Sequence, residues 1–231
     1  MSHPQLPLAL RLPVARRFDT FVGAGNEAAL AEVHLAAAGG RDGVVYLSGA
    51  EGVGKTHLLL AACAEAQRLG RRAQYVSLAS WRALDGDAVA ALAALDLVCV
   101  DDLDAAIGES EAEVGLFALA NACRDAHLPL LIAARVALPD LPAGLPDLRS
   151  RLAQGLRLKL AALPERARRQ AVRLRADQLG LSMDEAAIEF LFRRFPRDLT
   201  ALMTLIERLD RESLAAKRRI TVPFLRQALG L

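Results

Sequence analysis

The segment Gly49-Ala-Glu-Gly-Val-Gly-Lys-Thr56 has the spacing G-x-x-x-x-G-K-[ST]. Its glycines let the backbone curl until successive N–H groups point inward at phosphate oxygens. A helix expected to start directly behind it adds the partial positive charge of its first turn. Lys55 is placed to reach the β- and γ-phosphates of a nucleotide, and the Thr56 hydroxyl to ligate Mg2+. Lysine otherwise occurs only at Lys159 and Lys217, with arginine serving elsewhere. A compact ammonium suits this position better than a broad guanidinium. Downstream, the apolar run Leu97-Val-Cys-Val100 ends in Asp101-Asp102. A carboxylate at the end of a buried strand beside a phosphate loop suits the magnesium-bound water shell, which makes Asp101 the metal-side residue. Asp102 is placed to polarise an attacking water.

These residues need a sheet to hold them. Short buried runs at Val44–Leu47, Ala73–Ser77, Leu97–Val100, Leu128–Ala133 and Leu156–Leu160 alternate with helical segments at about 26–38, 55–69, 80–94 and 111–126. Such alternation predicts a parallel sheet of five strands with helices on both faces. Ala137–Pro146 reads as a proline-rich loop. After Leu163 the strand-length runs stop. A basic helix is expected from Pro164 to about Gln178, and Ser182-Met-Asp-Glu185 has the form of a capping box opening another. Further helices are expected at about 197–216 and 222–229, the last with Pro223 in its first turn. The expected division is an extended tail over 1–16, an α/β nucleotide-binding domain over 17–162 and a compact helical bundle over 163–231.

Composition narrows the function. With 53% hydrophobic residues in 231, the chain can bury a sizeable core. Its apolar runs are strand-length, so no membrane span is expected. A net charge of +2 offers no general electrostatic case for nucleic-acid binding. The N-terminus lacks the pattern of a signal peptide, and the expected location is the cytoplasm. Cys63, Cys99 and Cys123 share no metal spacing and read as buried structural thiols. His3, His34, His57 and His127 have no convergent catalytic partners, the last three lying on expected helices, and Trp81 reads as a packing residue.

The phosphate loop running on into His57-Leu-Leu59, the acidic pair on the third strand and the helical bundle after the sheet resemble the AAA+ ATPases of the DnaA clade. The resemblance covers roughly residues 18–231 and implies an AAA+ P-loop NTPase fold with a C-terminal helical lid, binding ADP or ATP with Mg2+. It places Gly49, Gly52, Val53, Gly54, Lys55, Thr56 and His57 at the nucleotide. Phe18-Asp-Thr-Phe21…Asn26 is similar to the segment that opens the family's nucleotide domain, with Phe18 and Phe21 on the adenine side. Asp147-Leu-Arg-Ser-Arg-Leu152 resembles the family's box VII, in which Arg151 takes the arginine-finger position and Leu152 replaces the usual phenylalanine. Phe195-Pro-Arg-Asp-Leu199 resembles the lid segment bearing sensor 2, which makes Arg197 its match. Sensor 1, normally a polar side chain after the fourth strand, falls near Ala133-Ala-Arg135. An alanine there implies weak hydrolysis in cis unless Arg135 compensates.

The N-terminal Gln5-Leu-Pro-Leu-Ala-Leu10 resembles the peptide by which bacterial proteins dock on the DNA sliding clamp. Its prolines hold it extended at low ordering cost, Gln5 can hydrogen-bond in a pocket, and Leu6, Leu8 and Leu10 offer apolar contacts. The resemblance therefore implies a regulatory member of the clade, without sequence-specific DNA reading. Such a protein would be tethered to the clamp, would dock on the DnaA initiator and stimulate its ATP hydrolysis through Arg151 in trans, and is expected to be a homo-oligomer. Two other classes stay open at this point: a DnaC-like helicase loader, and a scaffold that binds nucleotide without hydrolysing it.

Overall fold

The computed structural model describes residues 16–80, 85–108, 110–142, 144–195, 198–216 and 220–230. The expectations for Gln5, Leu6, Leu8 and Leu10, for Trp81 and for Arg197 lie outside them. The described residues form two compact units. One holds the sheet and runs to Ala161, and the other comprises Ala162 onward together with Glu51–Val53.

In the first unit, strands β1 (Val44–Ser48), β2 (Ala73–Ser77), β3 (Leu97–Asp101), β4 (Leu130–Ala134) and β5 (Leu156–Lys159) pair in the order β2-β3-β4-β1-β5. Each described pairing is parallel. The three inner strands read as continuous apolar runs because helices cover both faces of the sheet. On one face Tyr46, Val98, Val100, Leu130 and Ile132 pack against helices α3 (Gly86–Ala93), α4 (Ser110–Asp125) and α5 (Pro146–Ala153). Helices α1 (Glu27–Ala38) and α2 (Lys55–Arg68) pack against each other, α2 on β2, β3 and β4 and α1 on β5.

Local chemistry sets the boundaries. Helix α3 starts at Gly86, later than the pattern predicts, because the Asp85 carboxylate accepts the Ala88 N–H at 2.8 Å and caps it there. Strand β4 starts at Leu130 rather than Leu128, since Pro129 has no N–H to give the ladder. Helix α5 corrects the sequence-based expectation, which has a proline-rich loop over 137–146 and no helix over 146–153. Pro146 occupies its first turn, and its apolar face is only Leu148 and Leu152, both fully buried. His127 lies just past α4 at φ 52°, beside Asp42 at 3.4 Å, and not on the expected helix.

Helix α1 ends at Gly39, whose φ of 84° is a left-handed cap. Arg71 reaches over this end, donating from Nη1 to the carbonyls of Ala36 (3.2 Å) and Ala37 (2.8 Å) and from Nη2 to that of Asp96 (2.8 Å). One guanidinium thus serves carbonyls of the last helical turn and ties α1 to the turn before β3.

The second unit packs α6 (Glu165–Gln178), α7 (Glu185–Arg194), α8 (Leu199–Ala216) and α9 (Val222–Ala228) around Val172, Ile188, Leu191, Leu202, Ile206 and Leu225. The expected capping box at Ser182 is corrected. Met183 pairs with Ile220 in an isolated parallel bridge, so the chain is still extended there, and Asp184 caps α7 by accepting the Ala187 N–H at 2.7 Å. All three cysteines are buried thiols, as expected, and burial pushes Cys123 up to about 12. Among the described residues no helix is long and apolar enough to cross a membrane.

Arg71→Ala removes three hydrogen bonds from a charged donor and leaves the carbonyls it served without it. The expected loss is about 2 kcal/mol of stability, read as a lower urea midpoint at unchanged m-value.

Candidate functional site

Strand β1 delivers the chain to Gly49 at the carboxyl edge of the sheet. The turn that follows needs positive φ at Gly49 (153°), Gly52 (77°) and Gly54 (102°) before α2 begins at Lys55. At Gly54 the requirement is doubled, because a Cβ there would lie 2.8 Å from a ring carbon of Phe21. The Lys55 ammonium bends back over the loop and donates to the carbonyls of Gly49 (2.6 Å) and Ala50 (2.8 Å). Burial lowers the Lys55 pKa, Asp101 and Asp104 oppose that, and the nearby Arg135 guanidinium adds to it. A glycine cradle with a half-buried cation folded onto it fits a polyphosphate.

The carboxylates stand across the same edge. Asp101 closes β3 and is 2% exposed. Its Oδ1 accepts the Asp102 N–H at 2.9 Å and its Oδ2 the Tyr75 hydroxyl at 3.0 Å. Asp102 lies at φ 56°, a left-handed conformation uncommon outside glycine, and its Oδ2 accepts the Ser77 hydroxyl at 2.6 Å. Asp104 accepts the backbone N–H of Arg135 at 2.7 Å. Strand β4 lies between β1 and β3, so its end faces both the phosphate loop and the acidic pair. Ala133 and Ala134 are buried there and Arg135 is exposed. Among the described residues no three His, Cys, Asp or Glu side chains converge to hold a metal by themselves. Mg2+ commonly takes one or two carboxylates together with phosphate and water oxygens, a donor set that the Asp101 carboxylate beside a phosphate loop fits.

The segment ahead of α1 closes over α2. His57 Nε2 lies 3.0 Å from the Arg17 carbonyl and 3.3 Å from Thr20 Oγ1, and its ring meets Phe21 edge-on at 5.5 Å. Phe21 and His57 are thus brought to the phosphate loop. Phe18 is placed elsewhere, edge-on to His34 at 4.9 Å. It lines a cavity of about 440 Å3 with Arg17, His34, Ala64, Glu65 and Arg68. That cavity lies along the second half of α2, roughly two to three turns beyond Lys55. Buried Asn26 ties the start of α1 to the end of the sheet, its amide donating to the Ala161 carbonyl (3.0 Å) and accepting the Ala161 N–H (2.8 Å).

Arg151 occupies the last turn of α5, where Nη1 donates to Gln154 Oε1 at 3.0 Å and Nε is enclosed without a hydrogen-bond partner among the described residues. The helix that carries it is anchored by Glu113 of α4. This buried carboxylate accepts the N–H groups of Gly108 (2.9 Å), Gly144 (3.1 Å) and Leu145 (2.6 Å), the last being the residue that precedes α5. Burial works against its charge, but the three N–H donors outweigh it and hold the carboxyl below the ordinary glutamate range. Tyr75, Ser77, Asp104 and Glu113 were not singled out from sequence. Alternation puts Tyr75 and Ser77 on one face of β2, but which strand lies beside β2 is not written locally. Glu113 reads as an ordinary helix glutamate.

The family model for the bacterial DnaA ATPase domain matches residues 12–159, and that for the lid domain of Hda matches residues 165–229. Among solved structures, domain III of the Thermotoga maritima replication initiation protein DnaA is 21% identical, with a TM-score of 0.79 over 94% of this chain and 96% of that one. AMPPCP-bound DnaA from Aquifex aeolicus is 22% identical, with a TM-score of 0.70 over 90% of this chain and 69% of the other. The RuvB Holliday junction branch migration motor of Thermotoga maritima is 21% identical, with a TM-score of 0.65 over 93% and 71%. At these identities the structural likeness establishes the fold, that of the AAA+ domain.

Glu113, with a depressed pKa in the folded state, contributes stability that is present above its unfolded value and lost as pH falls through its folded one. Glu113→Gln is expected to lower the unfolding temperature at pH 7 by roughly 5 °C. Thermal scans should show the gap from wild type closing as pH drops through and below the glutamate range.

Proposed function

The chain belongs to the bacterial DnaA ATPase-domain family and carries a lid of the Hda type, and from that premise we propose that it is a negative regulator of replication initiation. In this reading it binds an adenine nucleotide, docks on the ATP-bound DnaA initiator and stimulates the initiator's hydrolysis. The observation that carries the proposal is the succession, within one chain, of a DnaA-type ATPase module and an Hda-type lid, with Arg151 held on the short helix at the end of the module.

The glycine cradle and Lys55 support an adenine nucleotide at Gly49–Thr56, and a relative of the same fold was solved with AMPPCP bound. Lys55 would exchange the carbonyls of Gly49 and Ala50 for phosphate oxygens. Thr56 and Asp101 would hold Mg2+, which supplies neutralisation of phosphate charge. We assign Phe21, against Gly54, to direct contact with the nucleotide, while His57 holds the Arg17–Phe21 segment in place. Asp102 is the water-polarising candidate, at present tied to Ser77. Buried alanines at the end of β4 support weak turnover by the chain itself, and the likeness of the lid to that of Hda supports ADP as the working ligand. The proposed setting is the cytoplasm, at replicating DNA. Gln5–Leu10 would tether the protein to the sliding clamp, and self-association is proposed alongside.

Two experiments test the reading. Placing a guanidinium on developing phosphoryl charge is worth on the order of 10³–10⁵ in rate in other NTPases. Arg151→Ala should therefore bind ADP as wild type does, yet lose stimulation of DnaA hydrolysis of labelled ATP in the presence of clamp-loaded DNA. Equal stimulation by the variant would remove Arg151 from the mechanism. For the tether, a Gln5→Ala, Leu6→Ala double variant is expected to lose binding to the immobilised clamp while retaining ADP affinity, and undiminished clamp binding would sink that part of the proposal.

A further inference from the structure

We infer that Tyr75 is a positioning residue for the divalent cation of this site, its hydroxyl setting the Asp101 carboxylate in the orientation that takes up Mg2+. The inference rests on the nucleotide reading above and extends it to a residue of the edge strand.

The register explains why a tyrosine is needed. Across the β2–β3 pair Tyr75 stands opposite Cys99 and Ser77 opposite Asp101. Asp101 is thus the diagonal neighbour of Tyr75 on the same face. A diagonal neighbour lies further off than the residue directly opposite, within reach of a long or aromatic side chain. The Tyr75 hydroxyl spans this gap to Oδ2 at 3.0 Å. Ser77, nearer in register, is drawn to Asp102 instead, because the chain turns at the φ of 56° there and brings that carboxylate to the serine. The two hydroxyls of β2 therefore serve different acids, and Ser77 does not duplicate Tyr75.

The bond leaves Asp101 able to bind a cation. Its two oxygens take one donor each, from the Asp102 N–H and from Tyr75, so the rotation of this short side chain is determined at both ends. Each oxygen keeps a second lone pair. Among the described residues Asp101 forms no ion pair within 4.0 Å. Neutral donors orient and desolvate it without cancelling its charge, whereas a guanidinium partner would compete with the metal. Second-shell hydrogen bonds of this kind typically govern metal affinity by 10–100-fold.

Tyr75→Phe removes the hydroxyl and keeps the ring that packs the edge strand. Calorimetric titration of ADP into the full chain, in EDTA and over a series of Mg2+ concentrations, separates the two roles. The expected result is an ADP affinity in EDTA equal to that of wild type, with about a tenfold increase in the Mg2+ concentration needed for half-maximal enhancement. An unchanged Mg2+ curve overturns the inference, including the case in which the variant merely melts earlier, since a packing role would move the melting temperature alone. Wild-type protein that binds no ADP would overturn the nucleotide reading and this inference together. ADP binding with an unaltered Mg2+ response in the variant would overturn the inference only.

Discussion

The site depends on β4 lying between β1 and β3. A parallel sheet places the chemistry of its loops at its carboxyl edge, and the order β2-β3-β4-β1-β5 brings the phosphate loop after β1 and the acidic pair after β3 to either side of the end of β4. The gap between them is one strand wide. That spacing is what the proposed nucleotide site asks of groups acting on one phosphate chain from opposite sides. It also makes Arg135, the first residue beyond β4, a neighbour of both, which is why its guanidinium is felt at Lys55 while its N–H holds Asp104.

Charge at this edge is managed chiefly by dipoles. Asp101, Asp102, Asp104 and Glu113 are each held by O–H or backbone N–H donors: Tyr75, Ser77, the Arg135 amide, and the amides of Gly108, Gly144 and Leu145. A buried carboxylate without such donors is costly, while one paired to a guanidinium loses much of its field. Neutral donors satisfy the oxygens and leave the negative charge available. Lys55 is treated in the complementary way, its ammonium resting on two carbonyls. The arginine-rich character of the chain is spent elsewhere, as in Arg71 capping α1 and Arg169 standing 4.9 Å from the Phe192 ring centroid in the helical unit.

The supports of α5 and α1 show how far from the phosphate loop the site is built. Glu113 fixes the turn from which α5, and so Arg151, departs. Asn26 locks the first turn of α1 to the residue at the end of the sheet unit. His57, one residue past the nucleotide motif, holds the Arg17–Phe21 segment against α2. The two phenylalanines of that segment part company as a result, Phe21 to the loop and Phe18 to the far half of the helix.

Much of this was legible along the chain. The glycine spacing of 49–56, the apolar runs and the carboxylates at the end of Leu97–Val100 are local patterns, because phosphate loops, buried strands and helix periodicity depend on residues close in sequence. The capping residue at α7 and helix α5 were misread at the same level: Ser182 competes with a long-range bridge to Ile220, and α5 is too short, with too narrow an apolar face, to stand out beside its prolines. What the chain by itself determined was the kind of site and the elements that carry it. Only the tertiary structure decided which hydroxyl serves which acid, since Tyr75 and Asp101 are joined by strand register, and Glu113 and Leu145 by the packing of separate helices. Those pairings are non-local hydrogen bonds between buried groups, and no window of sequence contains both partners.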